Sequence, residues 1–128
     1  MKHKVIKVLI VDDSLIILAR LVDELSTVEG VEVVGLARDI REAKESFEEL
    51  RPDAVILDIR MPGGSGIDVL RHIKEQSPQT IVIMLTNFAE EQYRKSCEKA
   101  GADYFLDKSN EFNTISNLLT NLNAASRG

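Results

Sequence analysis

Five side chains in this sequence could do chemistry together: the adjacent acids Asp12 and Asp13, the acid Asp58, the hydroxyl of Thr86 and the ammonium of Lys108. Each follows an apolar run, VLIV before Asp12, AVIL before Asp58, IVIML before Thr86 and ADYFLD before Lys108. Carboxylates brought close repel one another unless they are protonated or neutralised. A hard divalent cation with oxygen ligands is the natural remedy, and Mg²⁺ takes one or two carboxylates while keeping waters and phosphate oxygens. Lys108 adds a further positive charge, and a Thr hydroxyl can donate a hydrogen bond to a phosphoryl oxygen. The combination suits a phosphoryl group on a carboxylate oxygen, with charge neutralisation and positioning as the main levers. Taken singly the residues are ambiguous. Asp12-Asp13 before Ser14 could cap a helix, Thr86 could merely end a strand, and Lys108 could be a solvated loop charge.

Only a fold that brings the ends of separate strands to one rim gathers these groups. Runs suited to buried strands are Val5–Val11, Val31–Ala37, Ala54–Leu57, Thr80–Leu85 and Ala102–Leu106. Helical periodicity fills the spaces between them. Leu18, Leu21, Val22 and Leu25 form one stripe, Ile40, Ala43, Phe47 and Leu50 a second, and Ile67, Leu70 and Ile73 a third. Tyr93, Cys97 and Ala100 share helical spacing, and Phe112, Ile115, Leu118, Leu119 and Leu122 form the stripe of a last helix. Asp39-x-x-Glu42 and Asn87-x-x-Glu90 match capping boxes. Gly30 and Gly101 fall where helices should stop, and Ser77-Pro78 ends the third helix.

Five strands alternating with five helices predict an α/β fold, a doubly wound parallel sheet with helices on both faces and right-handed crossovers. In such sheets the ligand site lies beyond the carboxyl ends of the strands, where the winding reverses. The run AVILDIRMPGGSG fits this plan: an apolar strand acts as a rigid post that delivers Asp58 to a loop of Pro and Gly.

The chain has 128 residues, enough for one domain, with 123–128 as a small polar tail expected to fray. Hydrophobic residues make up 44% and charged residues 29%, the balance of a globular rather than a disordered chain. A formal net charge of −5 argues against nucleic acid as a direct ligand. No apolar stretch approaches the ~18 residues that span a bilayer, and the start carries no cleavage-site pattern. Cys97 is the single cysteine, so no internal disulfide forms; its spacing reads as a packing residue in a cytoplasmic protein.

The residues as a set resemble the receiver domain of bacterial two-component response regulators. The resemblance covers about Val5 to Leu122 and rests on VLIVDDS, LDIRMPGGSGIDVL, IVIMLTN and AGADYFLDKS. It implies a flavodoxin-like fold with strand order 2-1-3-4-5. It makes Asp58 the phosphoacceptor for a phosphohistidine on a sensor histidine kinase or phosphotransfer protein. Asp13 would bind Mg²⁺ directly and Asp12 directly or through water, with Asp58 and the backbone carbonyl of Arg60 completing the protein ligands. Lys108 would pair with the phosphoryl group. Thr86 would move toward it, and Phe105 is the aromatic switch position, turning inward into the space Thr86 leaves. The surface of the fourth helix, fifth strand and fifth helix would then be read by a downstream effector protein. The chain would be no enzyme toward other molecules, assisting only its own phosphorylation and dephosphorylation.

The sequence departs from the family pattern at several points. Lys108 is followed by Ser109 rather than Pro, so a trans or strained bond is expected there rather than a relaxed cis one. Phe105 lacks the hydroxyl of the usual Tyr. Asn87 and Phe88 follow Thr86 where a small residue is usual, and Arg60 lies two past Asp58. Phe88 and Arg60 are expected to hinder water and slow the loss of phosphate. His3 and His72 read as surface groups. Arg94, Lys95 and Lys99 give the fourth helix a basic side, either a solvated face or a docking patch for an acidic partner. Leu15, Ile16 and Ile17 fall in the region that in this family helps to dock the kinase.

Two other functions compete. A receiver-like interaction module would not need phosphate, and the five intact site residues argue against it. A Mg²⁺-dependent phosphohydrolase would use an Asp-x-Asp nucleophile, whereas Asp58 is followed by Ile59 and Arg60. No output domain follows the last helix, so output is expected either by docking or through a longer regulator from which this is a piece.

Overall fold

A computed structural model describes residues 5–127. Its centre is a five-stranded parallel sheet of β1 (Ile6–Val11), β2 (Val31–Ala37), β3 (Ala54–Leu57), β6 (Ile81–Thr86) and β7 (Tyr104–Asp107). The spatial order is β2-β1-β3-β6-β7, the expected 2-1-3-4-5 of the five sheet strands. Five helices alternate with them: α1 (Leu15–Leu25), α2 (Ile40–Leu50), α3 (Gly66–Gln76), α4 (Glu91–Lys99) and α5 (Thr114–Arg127). Among the described residues, no helix is long and apolar enough to cross a membrane.

The inner strands are apolar throughout because both faces are covered. Successive side chains point to opposite faces. Leu9 and Val11, Val55 and Leu57, Val82 and Met84 pack with Ala43, Phe47, Leu70, Ile73 and Cys97. Their neighbours Val8 and Ile10, Ala54 and Ile56, Ile83 and Leu85 pack with Leu18, Leu21, Leu25, Ile115 and Leu119. Cys97 is wholly buried, and burial pushes its thiol up to about 11. Of the first helical stripe, Val22 is more than one-third exposed and only the three leucines are buried.

Boundaries shift where side chains intervene. Thr80 stays in the turn before β6 because its hydroxyl pairs with that of Ser77 at 2.7 Å. Asp39 caps α2 as expected, accepting from the Glu42 amide at 2.7 Å. The box expected at Asn87 is not formed. Instead Thr86 Oγ1 accepts the Phe88 amide at 3.0 Å, and α4 begins at Glu91 with no side-chain cap. Gly30 and Gly101 take the left-handed conformation, with φ of 82° and 102°.

The last helix continues through Arg127, across residues read as a fraying tail, and Gly128 lies outside the described residues. Asn123 is buried and donates to the Glu29 carbonyl at 3.1 Å. His72 packs edge-on against Phe47 and lies 3.1 Å from Glu48 Oε1, so it is a half-buried clasp between α3 and α2 rather than a free surface group. His3 lies outside the described residues.

The loop after β3 folds in a way that no periodic pattern in the sequence signals. Two short strands, β4 (Arg60–Met61) and β5 (Gly64–Ser65), form an antiparallel hairpin that folds the loop back on itself. The fold-back carries Gly66 onto the start of the loop, where its amide donates to the Ile59 carbonyl at 2.5 Å. A Cβ on Gly66 would run into the carbonyl oxygen of Asp58 and lie 3.2 Å from Ile59 Cα. Gly66→Ala is therefore expected to destabilise the fold by about 1–3 kcal/mol, although Ala is the better helix former by about 1 kcal/mol. Urea unfolding gives the sign; a gain in stability would contradict the packing.

Candidate functional site

The site lies where the strand ends meet. The Asp12 amide extends the β1–β2 ladder by donating to the Ala37 carbonyl at 3.0 Å, and the Asp58 amide donates to the Val11 carbonyl at 3.1 Å. The backbones of both acids are thereby fixed by the sheet. The side chains are fixed in turn: Asp12 Oδ1 accepts the Ser14 amide at 2.9 Å, and Asp58 Oδ1 accepts the Ile59 amide at 2.7 Å. Lys108 reaches between them. Its Nζ lies 2.6 Å from Asp12 Oδ2 and 2.8 Å from Asp58 Oδ2, and all three side chains are less than one-tenth exposed. The Lys108 amide donates to the Thr86 carbonyl at 3.0 Å, which ties the lysine's backbone to the end of β6. The Lys108–Ser109 bond is trans.

Burial pushes the Asp12 carboxyl above its ordinary value, against the pull of Lys108 and the Ser14 amide. Burial by itself would lower Lys108, but its hydrogen bonds to Asp12 and Asp58 outweigh that and hold the ammonium above its ordinary value. Lys108 is therefore charged at neutral pH and neutralises acids that the fold has taken out of water.

Asp13 stands beside this pair, exposed. One carboxylate oxygen from each of Asp12, Asp13 and Asp58 lies within 4.8 Å of the others. Oxygens so grouped, two buried and one open to solvent, suit a hard divalent ion that keeps part of its water shell. Thr86 is fully buried at the end of β6. All five residues singled out by type are thus gathered on one rim.

Arg60 and Phe88, two residues past Asp58 and Thr86, are in contact with each other. The Arg60 guanidinium lies 4.2 Å from the centre of the Phe88 ring and donates to the Tyr93 hydroxyl at 3.3 Å. Tyr93 in turn sets its ring against Phe88, with centroids 6.3 Å apart. Arg60 and Phe88 lie two residues past Asp58 and Thr86 in sequence, whereas nothing in the sequence ties Tyr93 to the site. A tyrosine at helical spacing carries no signal beyond partial burial. Phe105 is already 93% buried, beneath the Arg94 guanidinium at 4.7 Å.

Residues 8–120 match the model of the response regulator receiver domain. The chain belongs to the response regulator receiver family. This receiver domain is 38% identical over 102 residues to the chemotaxis protein CheY of Thermotoga maritima, covering 80% of this chain and 84% of that one. Among solved structures it resembles the response regulator domain of Thermotoga maritima CheB, with a TM-score of 0.83, 33% identity and coverage of 95% and 96%. It also resembles CheY in the CheX-CheY-BeF3-Mg complex of Borrelia burgdorferi, with a TM-score of 0.76, 35% identity and coverage of 80% and 78%. The chain spans less than one-third of the protein-glutamate methylesterases it also matches.

Replacing Lys108 by Met strands two buried acids in this receiver domain. The expected cost is about 3–5 kcal/mol at neutral pH. An acid such as Asp12, whose folded pKa is raised, favours the folded state below its ordinary pKa, and the folded state loses that stability as pH rises through the raised value. The Lys108→Met deficit should therefore shrink as pH falls toward the ordinary Asp value of roughly 4. Urea unfolding across that range tests it; a deficit independent of pH would contradict the placement of Lys108.

Proposed function

We propose that this receiver domain is the phosphoacceptor of a two-component phosphorelay, with Asp58 taking a phosphoryl group from a phosphohistidine of a sensor histidine kinase or phosphotransfer protein. A carboxylate oxygen of Asp58 attacks phosphorus, the P–N bond breaks, and the imidazole leaves. The observation that carries this reading is the Lys108 ammonium lying within hydrogen-bond reach of both Asp12 and Asp58. That arrangement sets a positive charge beside the Asp58 carboxylate in a protein interior, where an unpaired nucleophilic carboxylate would be costly.

Mg²⁺ would be held by Asp12, Asp13, Asp58 and the backbone carbonyl of Arg60, and would supply charge neutralisation at the transferring group. The BeF3 and Mg carried by the similar Borrelia complex support that ligand class. Thr86 accepts the Phe88 amide through its oxygen, which leaves its hydrogen to donate to a phosphoryl oxygen. Moving that hydroxyl draws on the loop before α4. Since Phe105 is already inside, the change on the α4–β7–α5 surface is carried by this loop and by Arg94 above the ring. A downstream effector protein that prefers one state reads it. The proposed location is the cytoplasm, with neither nucleic acid nor membrane as a direct ligand.

A phosphate-independent interaction module is the weaker alternative, because selection for docking alone places no demand on two buried acids and a lysine. Incubation with acetyl phosphate and Mg²⁺ separates the two. The expected result is the mass gain of one phosphoryl group, absent without Mg²⁺ and absent in Asp58→Asn; partner binding unchanged by the label would favour the module.

Arg60 and Phe88 should also slow the loss of phosphate by obstructing in-line water. Replacing both by Ala is expected to speed the decay of labelled protein by about tenfold, the factor that ~1.4 kcal/mol of barrier represents. Mass spectrometry after removal of the donor measures it, and an unchanged decay would reject the obstruction.

A further inference from the structure

The contacts above the site do not end at Arg60 and Phe88. Asp58 directly follows β3 and Thr86 ends the neighbouring strand β6, and the residues two past each, Arg60 and Phe88, are in contact. Both of those residues rest on Tyr93. The Tyr93 hydroxyl accepts from Arg60 at 3.3 Å, and its ring supports the edge of Phe88. Tyr93 itself is half-buried, packed on the core that holds α3.

The helix that carries Tyr93 is weakly anchored. Cys97 is its one buried residue, and its first turn has no side-chain cap. Tyr93 therefore holds that first turn to the rim of the site as much as it holds Arg60 and Phe88. On the other side, the Phe88 amide is bonded to Thr86 Oγ1 at 3.0 Å. A continuous set of contacts thus runs from the Thr86 hydroxyl through Phe88 and Arg60 to Tyr93 and α4.

We propose that Tyr93 is a positioning residue for the phosphoryl chemistry at Asp58. It holds Arg60 and Phe88 together as a screen across the mouth of the site and fastens that screen to α4. This rests on Asp58 being the phosphoacceptor. Hydrolysis of the acyl phosphate needs a water in line with phosphorus; the P–O bond to Asp58 breaks, the carboxylate is restored and inorganic phosphate leaves. With the screen in place water enters slowly. Without the Tyr93 hydroxyl, Arg60 loses its anchor and the screen opens, while the acids, Thr86 and Lys108 stay where they are.

The test is a cycle of Tyr93→Phe, Arg60→Ala and the double variant, each labelled with acetyl phosphate and Mg²⁺ and followed by mass after the donor is removed. Tyr93→Phe keeps the ring and the packing. It should take label at Asp58 at the parent's initial rate and lose phosphate about two- to tenfold faster once the donor is removed, the range one hydrogen bond's net contribution spans. In the Arg60→Ala background it should have no further effect, an outcome a general loosening of the fold would not give. Equal decay in Tyr93→Phe and parent overturns the proposal, as does an acceleration of the same size with and without Arg60. A parent chain that takes no label at Asp58 overturns the phosphoacceptor reading itself, and this proposal with it.

Discussion

The molecule is organised around an electrostatic problem: two carboxylates taken out of water and one ammonium set between them. Isolated burial of an ionised acid costs several kcal/mol unless it is paired and hydrogen-bonded. Here each of Asp12 and Asp58 has one oxygen on a backbone amide and the other on Lys108. Such a set is less stabilising than an apolar core of equal volume. Its presence at the end of an otherwise apolar sheet marks a place where function has been favoured over stability.

The parallel sheet is what makes the arrangement possible. Parallel strands all end on the same rim, so residues more than forty positions apart in sequence can converge without long loops. The inner strands are held on both faces, by two separate apolar clusters, and cannot shift against one another. The acids at their ends inherit that rigidity. The lysine arrives directly after an edge strand, tied by its own amide to the strand beside it.

Much of this was legible in the chain. The acids, Thr86 and Lys108 stood out because each follows an apolar run whose length and composition suit a buried strand. The strand order follows from the family likeness, and Gly30 and Gly101 marked their turns. What escaped had no periodic signature. The hairpin of Arg60–Met61 with Gly64–Ser65 is two residues on each side, too short for alternation to register. The capping box at Asn87 was misread because a hydroxyl one residue earlier, on Thr86, competes for the backbone. The Arg60–Tyr93 bond joins side chains 33 positions apart, on β4 and α4, and no local pattern encodes it. The buried position of Phe105 under Arg94 likewise depends on tertiary packing alone.

The buried thiol has a practical corollary. With its pKa at about 11, Cys97 is almost entirely in the unreactive thiol form at neutral pH and has no exposed surface. Oxidants and maleimides should pass it by in the folded protein. A second cysteine introduced on the surface would therefore become a unique attachment point for a spectroscopic probe.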